Sequence, residues 1–376
     1  MSTYREPAAD IAIPAFDVRA LARKAALPAA LAAAVVAVLV VAGGPLHAFE
    51  HALRRAIDAD PRWVAAAAVL ELLSFAGYVA LLWMVGSRAT SRLGLRESAQ
   101  VTLGGAAATR LLPTAGVGGA ALTLWALRRT GMGSRAATQT LMTFLITLYS
   151  VFLIAIMTSG TVLAVSHTGQ LALEIVPAIG AAIVFFGHLA LAAAAPRGES
   201  SGRIGRGARL IGAAVRDGLR HLRSADPRLV GAVAWWGFDA AVLWAMLHAF
   251  GAPPSLAVLV LAYFVGQVGN TVPIPGAVSG GMVGILVAFS VPADLALVSV
   301  LAYRSVAIWL PAPIGLVALG ALRRTIARWS EADRAVAVEP GVLAAAPERA
   351  ALPAAPATEP VFHGRPCPEP AFQLAA

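Results

Sequence analysis

The segment "RLLPTAGVGG", residues 110–119, places an arginine, a proline and three glycines between stretches that are apolar enough for a membrane interior. Proline removes a helical hydrogen bond, and a charged side chain is costly at bilayer depth. Non-helical backbone is tolerated at that depth only where protein or water covers it. The segment therefore predicts a broken helix that faces a cleft.

The composition of the chain predicts an all-α polytopic membrane protein. Of its 376 residues, 59% are hydrophobic and 13% are charged, whereas a soluble domain carries about 25% charged residues. Several apolar runs reach the roughly 20 residues that cross a bilayer. The net charge of +9 comes from arginines in short segments beside these runs, as the positive-inside bias predicts. No nucleic-acid-binding motif accompanies them, so we expect no nucleic-acid partner.

The apolar runs and the charge clusters divide the chain into segments. We expect a cytoplasmic segment over 1–25, a transmembrane domain over 26–325 and a disordered cytoplasmic tail over 330–376, whose Ala/Pro/Glu-rich composition cannot bury a core. The arginine-rich segment 196–228 is predicted to be a cytoplasmic loop. It fits a basic amphipathic helix on an anionic leaflet, or a loop that follows the positive-inside bias and nothing more. Predicted crossing helices are 26–44, 63–86, 136–165, 172–195, 229–250 and 294–321, and predicted hairpins are 97–129 and 255–291.

The opening motif has a counterpart in "NTVPIPGAVSG", residues 270–280. Pro113 aligns with Pro273 and Gly116 with Gly276, and 273 − 113 and 276 − 116 both equal 160. The shift relates two halves, about 26–165 and 172–325. The turns of both hairpins contain prolines and glycines: Pro113, Gly116, Gly118, Gly119, Pro273, Pro275, Gly276, Gly280 and Gly281.

Counting the crossings gives the repeat its topology. Three crossing helices and one re-entrant hairpin in each half invert the second half and leave both termini in the cytoplasm. Eight full crossings are the alternative, and charge does not separate the two. Inverted repeats with broken helices at matching positions indicate a transporter site near the bilayer midplane.

Ionisable residues inside predicted spans are candidates for function. Arg304 carries a guanidinium that suits phosphate, or it forms an ion pair with Glu71 or Asp239. Those two carboxylates either compensate an arginine or relay a proton. Arg110 and Asn270 occupy equivalent positions in the two hairpins. Arg110 would hold a lipid phosphate beside a helix N-terminus or bind headgroups at the interface, and Asn270 would contact the headgroup or cap its own turn.

Five stretches of the chain, spread over roughly 60–325, resemble the lysylphosphatidylglycerol synthase transmembrane-region family, also called flippase-like membrane proteins. They are "LLPTAGVGG", "LRRTGM", "WWGFDAAVLW", "NTVPIPGAVSGG" and "AYRSVAIWLPAPIG". The resemblance implies a membrane module that moves lipids between leaflets. The family's synthases add a soluble aminoacyl-transferring domain where this chain has only the tail, so we expect no lipid aminoacylation. An acidic residue that the family often has after the second turn is missing through Gly284.

The sequence contains no Gly-x-Ser-x-Gly, His-Glu-x-x-His or phosphate-cradling Gly-Lys-Ser/Thr motif. Cys367 is the only cysteine, which excludes a multi-cysteine metal site. We therefore expect no enzyme activity, no cofactor and no metal. The leading hypothesis is a flippase that moves an anionic, aminoacylated or polyprenyl-phosphate-linked lipid across the bacterial inner membrane. The alternatives are a scaffold or accessory subunit for an envelope-lipid synthesis complex, and a transporter of small solutes or ions.

Overall fold

The computed structural model describes residues 59–111, 117–166, 169–194, 202–271 and 276–338. The predicted helix 26–44 and most of the predicted tail lie outside the described residues, as do Pro113, Gly116, Pro273 and Pro275. Within the described ranges the chain is helical and contains no strand. The helices are α1 (Pro61–Ser87), α2 (Leu95–Leu111), α3 (Val117–Arg129), α4 (Ser134–Val165), α5 (Leu171–Ala194), α6 (Arg203–Arg223), α7 (Val230–Phe250), α8 (Leu256–Val268), α9 (Ala277–Ala288), α10 (Ala293–Trp309) and α11 (Pro311–Val338).

Five stretches of the described chain are long and apolar enough to cross a membrane. They are Pro61–Ser87, Ser134–Val165, Leu171–Ala194, Pro227–Phe250 and Ala293–Ala335. The chain is therefore an all-α, multi-pass membrane protein, as the composition predicts. The start of the fourth stretch is a short 3-10 turn, Pro227–Leu229, which leads into α7.

α1 and the turn before α7 begin with the same four residues, Ala-Asp-Pro-Arg, at 59–62 and 225–228. Asp60 and Asp226 each accept a hydrogen bond from the N–H two residues later, at 2.9 and 3.0 Å. An aspartate cap followed by proline is a strong helix start, because the cap satisfies a free N–H and proline has none to satisfy. The two helices therefore start by the same device, 225 − 59 = 166 residues apart.

These two helices pack against each other in antiparallel orientation. At one end Trp63 of α1 contacts Trp244 of α7, with ring centroids 5.1 Å apart. At the other end Arg88, just after α1, bonds to Asp226 at 3.0 Å. Between them, Ser74 donates a hydrogen bond to the carbonyl of Trp235 at 2.8 Å. The pair forms the long central contact of the fold.

Both predicted hairpins form as pairs of packed helices, α2 with α3 and α8 with α9. Each pair crosses at glycines. A Cβ on Gly105 would lie 3.5 Å from the Cα of Gly119, and one on Gly281 would lie 3.1 Å from the Cα of Gly266. The four helices have 17, 13, 13 and 12 residues, which is short of the roughly 20 that a crossing needs. Their lengths favour re-entrant hairpins over full crossings.

The last predicted helix, 294–321, differs from the structure at both its middle and its end. The chain breaks at Leu310, because Pro311 has no N–H with which to continue α10. α11 then runs to Val338, past residue 330, where the composition predicts the tail to begin. The chain divides into two units, Met1–Ser330 and Glu331–Ala376, and the described part of the second is the helical stretch 331–338.

α6 occupies most of the predicted basic loop and packs against α4 and α5. Ala214 and Val215 on its apolar face are buried. Arg216 donates a hydrogen bond to the carbonyl of Ala192 in α5 at 2.7 Å. The part of the apolar face around Ala214 and Val215 thus rests on protein, whereas Ile204 and Leu222 of the same helix are exposed. Contact of this helix with a lipid leaflet, one of the two interpretations of the sequence, stays a prediction.

Candidate functional site

A polar cluster lies inside the membrane-spanning part of the protein, around Asp239 of α7. The carboxylate is 3% exposed. Its Oδ2 accepts hydrogen bonds from the hydroxyl groups of Tyr263 in α8 and Tyr303 in α10, the latter at 2.9 Å. The amide of Gln267 in α8 lies 3.4 Å from the same oxygen. Three donors from two neighbouring helices therefore converge on one carboxylate oxygen.

The same cluster extends to the turn of the second hairpin. Gln267 donates from Nε2 to the hydroxyl oxygen of Tyr303 at 3.0 Å. Its Oε1 accepts from the side-chain amide of Asn270 at 2.7 Å. Asn270 is exposed and precedes the part of the turn, 272–275, that lies outside the described residues. A continuous chain of side-chain hydrogen bonds thus joins the exposed turn to the buried carboxylate, and we call these five residues, Asp239, Tyr263, Gln267, Asn270 and Tyr303, the polar chain.

Arg304 follows Tyr303 on α10 and is half-buried. It lies about eleven residues into the helix, roughly 16 Å at 1.5 Å per residue, which is near the middle of a hydrocarbon core about 30 Å thick. Across the described ranges, its guanidinium forms no ion pair with Glu71 or Asp239. The ion-pair interpretation of Arg304 therefore has no support in these ranges, where no carboxylate pairs with this cation.

Glu71 of α1 lines a cavity of about 290 Å³. The walls are α1, α2 and the break between α10 and α11, and the other lining residues are apolar: Leu72, Phe75, Ala76, Val79, Leu95, Leu103, Leu310, Pro311 and Ile314. Glu71 is fully buried, while Leu72 is 49% and Leu95 54% exposed. The cavity, called the Glu71 groove below, is an apolar recess at the surface of membrane-spanning helices with one carboxylate in its wall.

The first hairpin is held by a threonine at its glycine crossing. Thr109 Oγ1 accepts a hydrogen bond from the N–H of Gly119 at 2.8 Å and donates to the carbonyl of Gly105 at 2.9 Å. Threonine thereby satisfies a free N–H at the start of α3. The side chain of Arg110, next in sequence, lies outside the described residues, so its predicted phosphate contact stays a prediction.

The glycines predicted in the turns differ in what they do. Gly119 and Gly281 lie at the two glycine crossings. Gly276 has a φ of +84°, a conformation that glycine adopts at little cost, and it is the cap of α9. Gly280 has open space around its Cα. Gly118, at the start of α3, also takes part in a stabilising interaction.

At the predicted cytoplasmic end, a cluster joins α1, α6 and α7. Arg88 bonds to the ring of His221, to Ser224 at 2.9 Å and to Asp226 at 3.0 Å. Arg228 also bonds to Asp226, at 2.8 Å. Hydrogen bonding from Arg228 holds the pKa of Asp226 well below its ordinary value. Burial, and then the charge of Arg88, lower the pKa of His221.

Sequence reasoning identified Asp239 and Asn270 but missed the residues that connect them. In the sequence alone, Tyr303 is interpreted as a packing residue. Tyr263 and Gln267 lie in an apolar run, and no motif marks them as functional. One signal was available: Tyr263, Gln267 and Asn270 recur at the i, i+4, i+7 spacing of one helical face. That this face contacts α7 and α10 is visible only in the three-dimensional structure. In the described ranges, no group of three His, Cys, Asp or Glu side chains could hold a metal ion.

Comparison with known proteins adds one finding. A sequence profile described as "Lysylphosphatidylglycerol synthase TM region" matches residues 25–315. No curated protein matches the chain. The matched range contains the polar chain, the Glu71 groove and Arg304.

Proposed function

Because the chain belongs to the lysylphosphatidylglycerol synthase transmembrane-region family, we propose that it moves an anionic lipid between the leaflets of a bacterial inner membrane. The observation that carries the proposal is Arg304, a half-buried cation near mid-membrane with no carboxylate partner in the described chain. A charge at this depth is costly unless something compensates it. A lipid phosphate that reaches mid-membrane during transfer would compensate it, and a guanidinium binds phosphate through two parallel hydrogen bonds.

The Glu71 groove supplies a place for the acyl or polyprenyl chain of such a lipid. Its lining is apolar apart from Glu71, and Leu72 and Leu95 at its rim are exposed. Leu310, at the helix break, belongs to the groove and follows Arg304 by six residues, about 9 Å along a helix. A headgroup at Arg304 and a chain in the groove are therefore compatible with one bound lipid.

The two hairpins and the antiparallel pair α1 and α7 support an inverted repeat as the frame for transport. The bounds of α2 and α3, shifted by 160, become 255–271 and 277–289, which nearly match the second hairpin. Helices that start by the same device and run in opposite directions are what an inverted repeat predicts. In transporters of this kind the substrate crosses between the repeats while each repeat moves largely as a rigid body.

Native mass spectrometry of the purified full chain tests the proposal at the level of binding. We expect a co-purifying anionic lipid whose occupancy falls in Arg304→Ala. Arg323→Ala, an exposed arginine on α11, is the matched control and should retain the lipid. Absence of any anionic lipid from the wild-type protein, or equal occupancy in Arg304→Ala, would argue against the proposed role.

A further inference from the structure

Asp239 carries one carboxylate oxygen that its surroundings leave open. Oδ2 receives all the hydrogen bonds described above, from Tyr263, Tyr303 and Gln267. Oδ1 is buried and has no hydrogen-bond partner in the part of the chain that the structure describes. No arginine, lysine or histidine in that part forms an ion pair with Asp239. A buried carboxylate with one satisfied and one open oxygen is an unusual arrangement, because buried charges are normally paired.

The two oxygens of this carboxylate have opposite surroundings. Oδ2 accepts hydrogen bonds from three donors, while Oδ1 is buried and accepts none in the described ranges. Intramembrane carboxylates of this kind commonly mark proton relays. Here the open oxygen sits about twelve residues into the stretch that begins at Pro227, roughly 18 Å along the helix and therefore near mid-membrane.

In the described ranges, none of the titratable groups around Asp239 bonds to Oδ1, so a proton is the simplest ligand for this oxygen. Tyr263 on α8 and Tyr303 on α10 are the titratable groups that face it. On the other packed helices, Tyr78 of α1 stacks on Trp235 and Tyr149 of α4 contacts Trp236. Arg304 follows Tyr303 on α10 and forms no ion pair with Asp239 in the described ranges.

We infer that Oδ1 of Asp239 is a reversible proton-binding site that couples the second hairpin to the proton gradient across the membrane. The proton comes from water that reaches the exposed turn at Asn270, forms an O–H bond with Oδ1, and returns to water when that bond breaks. Protonation removes the negative charge that orients Tyr263, Tyr303 and Gln267. Since Gln267 also holds Asn270, the change reaches the turn of the hairpin. The coupling, though not the proton binding itself, rests on the proposed function.

Infrared difference spectroscopy of the full chain in nanodiscs tests the proton site without any transport. As the pH is lowered, wild-type protein should develop the carbonyl-stretch band of a protonated carboxylic acid. Asp239→Asn, which keeps the shape and most hydrogen bonds, should lack the component of that band that belongs to Asp239, while the other carboxyl groups keep theirs. Asp294→Asn, a half-buried carboxylate at the start of α10 and away from Asp239, should keep the Asp239 component. An identical titrating band in wild type and Asp239→Asn would overturn the inference.

A second variant covers the case in which Asp239→Asn does not fold. Tyr263→Phe removes one donor to Oδ2, so the ionised form loses stabilisation and the midpoint of the band should move to higher pH. An unchanged midpoint in this variant would overturn the inference as well.

Coupling is tested by lipid movement in liposomes of phosphatidylethanolamine and phosphatidylglycerol with an imposed pH gradient. The wild-type rate should change several-fold with the gradient, and the Asp239→Asn rate should not respond. A wild-type rate that ignores the gradient would overturn coupling. If the band belongs to Asp239 and no lipid moves under any condition, the proton site stands and the proposed function fails.

Discussion

Gly77 of α1 and Gly231 of α7 touch through their backbones. A Cβ on Gly231 would lie 2.3 Å from the carbonyl oxygen of Gly77, and one on Gly77 would lie 2.7 Å from the carbonyl oxygen of Gly231. Small residues let membrane helices approach this closely, and backbone packing then replaces the missing hydrophobic driving force. The contact lies between α1 and α7, the central helix pair, so its loss should destabilise the helices that pack around that pair.

Replacing Gly231 by alanine should therefore separate α1 from α7. We expect a loss of about 1–3 kcal/mol in the free energy of unfolding, the usual cost of overpacking. The measurement is the thermal midpoint of the purified protein in nanodiscs. Gly237→Ala on the same helix, with open space around it, is the control and should change little. Equal midpoints for the two variants would contradict the packing account.

The threonine at the first glycine crossing should be needed for the hairpin. Thr109→Val keeps the shape of the side chain and leaves the N–H of Gly119 without its acceptor, which costs about 1–3 kcal/mol. Cysteine accessibility of the 112–116 turn and the thermal midpoint would both report the change. Thr161→Val, an exposed threonine that bonds only within α4, should leave both readouts as in wild type. If Thr109→Val also leaves them unchanged, the hydrogen bond does not hold the hairpin.

The cluster around Arg88 should make stability depend on pH. The pKa of His221 is lowered in the folded protein, so the unfolded chain binds more protons as the pH falls through the ordinary histidine value of about 6.5. Stability from this group is thus present above that value and declines below it. The lowered pKa of Asp226 adds a loss in the same direction, at pH values below the ordinary carboxyl range.

Thermal midpoints between pH 8 and pH 5 measure this dependence. His221→Gln should flatten the decline, because glutamine does not gain a charge beside Arg88. His188→Gln, a histidine of α5 outside the cluster, should leave the slope as in wild type. A slope in His221→Gln that equals the wild-type slope would show that His221 is not the titrating group.

Filling the Glu71 groove should slow lipid transfer and leave the fold intact. Ala76 lines the groove and is exposed, so Ala76→Trp can occupy the space without displacing the core. We expect transfer to fall by roughly tenfold, equivalent to about 1.4 kcal/mol of lost lipid binding. Ala65→Trp, also exposed on α1 but outside the groove, is the control. Equal transfer rates for both variants would exclude the groove as the site of the chain.

The sequence predicts the individual helices well where composition decides them. The apolar run 63–86 and its preceding Asp-Pro define α1 to within a few residues, since length and capping are local properties. The helix break before Pro311 is less visible in the sequence. Proline fits the first turn of a new helix as well as a kink inside a continuing one, and the apolar run shows no change there. Where α10 ends therefore depends on the packing around Leu310.

The candidate site is less visible in the sequence because it depends on contacts between distant segments. Asp239 and Asn270 stand out as polar residues in apolar runs, and the fold joins them through Gln267. Tyr303 reaches the same carboxylate from 64 residues away. Periodicity places residues on a face of one helix, but it does not say which other helix that face meets.

Transbilayer movement of a labelled anionic lipid tests the central claim most directly. The full chain is reconstituted in liposomes with a fluorescent phosphatidylglycerol or a fluorescent polyprenyl phosphate, and a membrane-impermeant quencher reports the label left in the outer leaflet. The account predicts movement by the wild-type protein, a loss of roughly tenfold or more in Arg304→Ala, and a wild-type rate in Arg323→Ala. No movement of any anionic lipid by the wild-type protein, or equal rates for Arg304→Ala and wild type, would contradict it.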